Sequence, residues 1–204
     1  MSEQYFETIK CDDYEVFNLD YHKRRIVNTI GLNIALEEYI YPPSKDLLKC
    51  KLIYDESGII NIEYTPYKMR VIDTLKLIYD DNISYKYKSI LRDNIDQLYM
   101  KREDCDDIVI VKNGLITDTS IANIAVMIDD IWYTPKTPLL YGTSRARYLD
   151  AKVISEKDIT VDEFNKASKI ALMNAMIDFY EITITSIDLN NAVLVLRSLS
   201  SPNR

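Results

Sequence analysis

Asp118 and the Gly142-Thr143-Ser144 triplet are the residues whose types and spacing could act together in chemistry. They lie in the stretch Ile108–Tyr148, IVIVKNGLITDTSIANIAVMIDDIWYTPKTPLLYGTSRARY. A carboxylate at Asp118, set among strands, can pair with a cationic ring nitrogen. A Gly-Thr-Ser turn opening a helix offers N–H groups, hydroxyls and a favourable dipole to an anion. The backbone N–H groups of Ile121 and Ala122 add to that anion-binding set. Taken together, the two features could hold the two ends of a phosphorylated heteroaromatic molecule. Asp118 taken alone also fits a turn residue bonding its own backbone.

The surrounding elements have to position those groups. Ile108–Lys112 is β-prone and meets Asn113-Gly114, a strong hairpin signal. Ile121–Ile128 and Ile131–Pro135 continue as strands about an Asp129-Asp130 turn, and a helix follows Thr143. Upstream, Tyr5–Lys10 and Glu15–Leu19 read as a hairpin, and Asp20 as the cap of a helix from Tyr21 to about Glu38. Pro42-Pro43-Ser44 stops it, with Ser44 capping a short helix, Lys45–Leu48. Lys51–Tyr54 and Ile59–Tyr64 form another hairpin, and Arg70–Tyr79 a further strand. Tyr87–Met100 reads as helix, Val161–Lys166 as a short helix behind a Thr160 cap, and Lys169–Met176 and Tyr180–Ile187 as strands. The fold class is therefore α+β. A small N-terminal domain, 1–80, is joined through Asp80-Asp81-Asn82 to a larger β-rich domain, 83–204.

Composition narrows the function classes. A chain of 204 residues with 47% hydrophobic and 28% charged residues reads as a soluble globular protein. A net charge of −7 argues against nucleic acid or an anionic membrane as a main partner. Cys11, Cys50 and Cys105 are odd in number and widely spaced, which disfavours a zinc site or disulfide framework and fits a reducing cytoplasm. No signal peptide and no apolar run of membrane-spanning length is evident. The only glycines, Gly31, Gly58, Gly114 and Gly142, exclude a G-x-G-x-x-G or Walker loop.

The pattern G-x-x-T-[DE]-x-S-x-A-N, starting at Gly114, is followed by W-Y-T-P at Trp132–Pro135 and P-L-L-x-G-T-x-R at Pro138–Arg145. It resembles the fold-type IV pyridoxal-phosphate enzymes, which include branched-chain and D-amino-acid aminotransferases and 4-amino-4-deoxychorismate lyase. The resemblance runs from about Phe6 to Ile182. It implies pyridoxal 5'-phosphate as cofactor, a small-molecule substrate and a homodimer.

The same resemblance assigns roles. The Schiff-base lysine falls in Ser84–Arg92, and Lys88 matches through the basic residue four positions on, Arg92; Lys86 is the competing register. Burial there would lower the amine pKa and favour the nucleophilic free base. Asp118 stands where the family usually has Glu, beside the pyridine nitrogen. Gly142, Thr143, Ser144, Ile121 and Ala122 bind phosphate. Arg25, in His22-Lys23-Arg24-Arg25-Ile26, adds a phosphate-binding guanidinium. His22 reads as a satisfied structural histidine. Thr8 and Lys10, with Glu7 beside them on the first strand, and Asn174 line the substrate side. Asn174-Ala175-Met176-Ile177 is more similar to the lyase N-A-L-M stretch than to the aminotransferase equivalents. The chain starts almost at the F-E-T-I strand, so the first hairpin and a substrate-gating loop are expected to be reduced. The expected function is 4-amino-4-deoxychorismate lyase, giving pyruvate and the folate precursor 4-aminobenzoate. The alternatives are a class IV aminotransferase and a non-catalytic small-molecule-binding relative.

Overall fold

The computed structural model describes residues 2–198. The chain forms two compact units. The smaller comprises the residues up to Met69 with Tyr87–Leu91; the larger comprises Arg70–Lys86 and the residues from Arg92 onward.

The smaller unit is built on β1 (Tyr5–Asp12), β2 (Glu15–Val16), α1 (Leu19–Ile30), β3 (Leu48–Asp55) and β4 (Gly58–Pro66). Its antiparallel sheet runs β2-β1-β3-β4. β1 alternates between buried and half-buried residues, the mark of a strand covered on one face. Tyr5, Ile9 and Cys11 pack with Ile26 of α1 and with Leu52 and Tyr54 of β3. Glu7 lies on that same buried face.

The expected helix to Glu38 ends earlier. Gly31 takes φ +77° and donates its N–H to the Val27 carbonyl, a left-handed stop that a side chain would resist. Leu36–Glu38 is a separate 3-10 turn. Asp20 lies in the first turn of α1 rather than at its cap, which is Asn18, without a side-chain hydrogen bond. Ser44 bonds Asp46 and caps no helix; Leu48 already begins β3.

The larger unit adds β5 (Thr74–Tyr79), α2 (Asp93–Met100), β6 (Asp107–Lys112), β7 (Leu115–Thr119), β8 (Asn123–Ile128), β9 (Ile131–Pro135), α3 (Thr143–Asp150), β10 (Ser155–Lys157), α4 (Val161–Lys166), β11 (Lys169–Asn174), β12 (Asp178–Asp188) and β13 (Val193–Ser198). The sheet order is β10-β9-β8-β11-β12-β13-β5-β6-β7, and a further pairing of β7 with β8 closes seven of these strands into a ring. Inside the ring lie Leu77, Val109, Val111, Ile124, Leu172 and Leu194. Ile108 and Ile110, on the other face of β6, pack under Ile95 and Leu98 of α2. Cover on both faces explains why β6 reads as an unbroken apolar run. Phe164 of α4 is fully buried in the ring core, a contribution of about 1.5–3 kcal/mol. Thr160 and Glu163 close the expected cap of α4 as a reciprocal capping box.

Three expectations shift here. The strand placed in the N-terminal domain, β5, pairs with β6 and β13, so Asp80-Asp81-Asn82 falls inside the larger unit. The helix expected from Tyr87 starts at Asp93, because the preceding backbone bridges to the start of β1 at Ser89. Phe6 N–H donates to the Lys88 carbonyl (2.9 Å) and Ile90 N–H to that of Gln4 (3.0 Å). β10 and β13 were not among the expected strands.

Candidate active site

In the larger unit the Asp118 side chain is buried where β7 turns into β8. Its Oδ2 accepts the Leu140 N–H (2.9 Å) and its Oδ1 accepts Asn123 Nδ2 (2.7 Å). Asn123 Nδ2 also donates to the Leu140 carbonyl (2.8 Å). Burial pushes the Asp118 carboxyl up to about 6, against the opposing pull of the Leu140 N–H, Asn123 and the Arg145 charge. Asp118 is therefore more than a turn residue: it ties the β7–β8 corner to the loop that opens α3.

Gly142 is the N-cap of α3, and no side chain caps that helix. Its first N–H groups have no intrahelical acceptor, and Thr143 and Ser144 are buried. A Cβ on Gly142 would stand 2.0 Å from Asn123 Oδ1. Asn123 is held by Asp118 and Leu140, so the clash has no cheap escape. Gly142→Ala is expected to destabilise the protein by about 1–3 kcal/mol. Chemical denaturation checks this; wild-type stability in that variant would show that the Asn123 amide turns aside freely.

The remaining expected residues are placed as follows. The N–H groups of Ile121 and Ala122 both bond Thr119 Oγ1 (3.3 and 3.0 Å), so they close the β7–β8 turn. Asn174 donates to the Ile121 carbonyl (3.3 Å), and its Oδ1 accepts the N–H groups of Met176 and Ile177 (2.9 and 3.0 Å). Asp118, Ile121, Ala122, Gly142, Thr143, Ser144 and Asn174 thus share the larger unit, and Asp118, Asn123, Leu140 and Gly142 form one knot within it. Asn123 was visible only as the last letter of a motif.

Thr8, Lys10, Arg25 and Lys88 belong to the smaller unit. Lys88 is half-buried, with Nζ 4.6 Å from the centre of the Phe6 ring. Lys86 is exposed and belongs to the larger unit, where it lines a cavity of about 460 Å³ with Lys112, Thr117, Leu139 and Tyr141. That cavity meets β7 at Thr117, and successive strand residues face opposite ways, which sets Lys86 apart from Asp118.

Arg25 is held by Glu7: its Nε donates to Oε1 (2.8 Å) and its Nη2 to Oε2. His22 Nδ1 lies 2.6 Å from Glu7 Oε2 and, facing a carboxylate, carries the proton. His22 Nε2 is buried without a hydrogen-bond partner, so this histidine is only half satisfied, contrary to expectation. Burial raises the Glu7 carboxyl, but the Arg25 charge and the bonds from His22 and Arg25 outweigh it and bring it down to about 2. Burial also lowers His22, against the pull of Glu7. Sequence reading missed this cluster. Its one local signal was a glutamate in phase with Tyr5 and Ile9 on an alternating strand.

Residues 61–184 match the family model of class IV aminotransferases. The chain belongs to that family. An uncharacterised protein from Haemophilus influenzae is 30% identical over 182 residues, 84% of this chain and 96% of its own. The crystal structure of a candidate 4-amino-4-deoxychorismate lyase from Haemophilus somnus 129pt is 28% identical with a TM-score of 0.77, over 86% of this chain and 97% of its own. A hypothetical aminotransferase from Mycobacterium tuberculosis, solved with pyridoxal phosphate bound, shares the fold at 14% identity and TM-score 0.74, over 98% of this chain and 84% of its own. The architecture, a small N-terminal sheet and a larger barrel-like one, is that of fold-type IV pyridoxal-phosphate enzymes. Among the described residues no helix is long and apolar enough to cross a membrane, and no cluster of three or more His, Cys, Asp or Glu is placed to hold a metal.

Proposed function

We propose that this class IV protein is a pyridoxal-phosphate-dependent lyase acting on 4-amino-4-deoxychorismate to release pyruvate and 4-aminobenzoate. The observation that carries the reading is the 28% identity to the Haemophilus somnus candidate lyase along 97% of that chain. A buried acid and a buried, uncapped helix N-terminus joined by one hydrogen-bonded knot fit the two ends of the cofactor.

Thr143, Ser144 and the N-terminus of α3 would hold the phosphate, joined by Arg25, whose orientation Glu7 sets. Asp118 would keep the ring nitrogen protonated. The cofactor supplies an electron sink. Lys88 Nζ takes the proton from the substrate carbon that bears the amine. The ring then aromatises as its C–O bond to the enolpyruvyl group breaks, and the proton passes to the departing enolpyruvate, giving pyruvate. A homodimer in the cytoplasm, working on a small molecule in folate biosynthesis, accords with the resemblance.

The second reading is an aminotransferase acting on a branched-chain or D-amino acid, supported by the family model. The deciding assay supplies 4-amino-4-deoxychorismate in one arm and an amino acid with a 2-oxo acid in the other. Release of 4-aminobenzoate supports the lyase; amino transfer alone replaces it. Failure of both, with no cofactor absorbance, marks a non-catalytic relative.

Asp118 gives this reading a pH signature. A cationic ring nitrogen prefers the ionised carboxylate, so cofactor affinity should rise as pH passes upward through about 6. The cofactor-free fold behaves oppositely. A carboxyl raised from 3.8 to about 6 contributes stability below 3.8 that is lost as pH rises through about 6. Spectral titration at pH 5 to 8 checks the first, with Asp118→Asn expected to flatten the profile. An unchanged slope in Asp118→Asn would remove Asp118 from the role.

A further inference from the structure

The small sheet has a second face, turned away from α1. Strand alternation puts Phe6, Thr8 and Lys10 of β1 on it, and antiparallel register sets their neighbours. Thr8 lies opposite Lys51, and Lys10 opposite Lys49. On β4, Glu63 follows Lys51 and Thr65 follows Lys49. Lysines facing each other across two strands repel, so Lys10 against Lys49, with Lys51 one register on, gathers positive charge along β1 and β3. Acidic residues share the face at its edges: Glu63 beside Lys51, and Asp12 of β1 with Glu15 of β2 beyond Lys10.

The aromatic rings of this region organise the charges. Lys51 Nζ lies 5.5 Å from the centre of the Phe6 ring, and the same ring carries Lys88 Nζ at 4.6 Å. Lys10 Nζ lies 5.0 Å from the centre of the Phe17 ring. Distances under about 6 Å bring a cation into the attraction of the ring face. Both ammonium groups thus lie within reach of one ring, and one of them belongs to the lysine assigned above to the cofactor. The Thr8 hydroxyl stands in the same register as Lys51.

We propose that Lys51, supported by Lys49 and Lys10, is the residue that selects substrates carrying two carboxylates. Lys51 pairs with one carboxylate while Lys88 acts on the amine-bearing carbon, and Phe6 provides an apolar floor for the substrate ring. This rests on Lys88 as the reacting lysine and deepens the lyase reading by naming the charge pattern that the site accepts. A substrate with a single carboxylate leaves Lys51 unpaired and gains less from this face.

The test uses the cofactor-loaded protein and two ligands that do not turn over, chorismate with two carboxylates and 4-aminobenzoate with one. Calorimetric titration is run on the wild type, Lys51→Met and Lys51→Arg at low and moderate salt. Lys51→Met is expected to weaken chorismate about tenfold and to flatten its salt dependence, while 4-aminobenzoate moves less than about threefold. Lys51→Arg should restore chorismate to within about threefold of wild type, which a loss through misfolding would not do. Unchanged chorismate binding in Lys51→Met, or equal weakening of both ligands, overturns the proposal. The lyase reading fails separately. If 4-amino-4-deoxychorismate yields no 4-aminobenzoate while chorismate still depends on Lys51, the carboxylate site stands and the reaction does not.

Discussion

Lys88→Ala is expected to lower turnover by roughly a thousandfold or more, with pyridoxal phosphate still bound noncovalently. In the proposed mechanism two functions would go with that amine: attachment of the cofactor and transfer of the substrate proton. The proposed phosphate and ring-nitrogen contacts would be left in place, so cofactor binding and reaction should separate in this variant. Lys86→Ala should stay within a few-fold of wild type, because Lys86 is exposed and lines the cavity at Thr117, on the face of β7 opposite to Asp118. Steady-state turnover of both variants, together with borohydride reduction of the loaded wild type and peptide mass mapping, decides the matter. A pyridoxyl group on the Lys86 side chain moves the assignment by two residues; one on neither lysine removes it.

The second large effect concerns stability. Glu7→Ala should cost about 3–5 kcal/mol, since it leaves the Arg25 charge and His22 Nδ1 inside the small unit without their acceptor. Glu7→Gln retains an acceptor and should cost less. The acid dependence follows from the lowered carboxyl. A group brought from 4.5 down to about 2 contributes stability that is present above 4.5 and lost as pH falls toward about 2. The gap between wild type and Glu7→Ala in denaturant midpoint should therefore narrow over that interval. A loss under about 1 kcal/mol at neutral pH would mean that Arg25 and His22 find other acceptors, or water, when the carboxylate is gone. Because Arg25 is also assigned to phosphate, the same variant should release cofactor more readily.

What could be read from the chain alone was whatever neighbouring residues encode. Asn113 and Gly114 adopt positive φ, 51° and 75°, as the turn chemistry required. Thr160 and Glu163, three apart, announced their own cap. The helix boundary at Gly31 was equally local, but Ile34 continued the apolar period and masked the stop. Pairings between distant segments were out of reach. Nothing in Thr74–Tyr79 says that its partners are β6 and β13, and nothing in Tyr87–Leu91 says that its backbone bonds Gln4 and Phe6 instead of coiling.

The site divides the same way. Motif spacing pointed to Asp118 and Gly142 as a pair, whereas the Asn123 and Leu140 bonds that join them depend on the fold. His22 and Arg25 share a helix face three residues apart, but only β1 supplies the carboxylate they meet. Lys51 carried no motif at all. Its interest comes from lying opposite Thr8 and over Phe6.

The position of β13 bears on how the chain is made. This strand is translated after β1–β12, yet it sits between β12 and β5. Until the ribosome has released it, a nascent chain carries both of those edges bare, with apolar Leu75 and Ile182 uncovered. Ring closure therefore waits for this strand. Fragments stalled before Leu189 should be chaperone clients or aggregate, even though the small sheet, whose strands all lie before Arg70, has every segment it needs except Tyr87–Leu91 much earlier in synthesis.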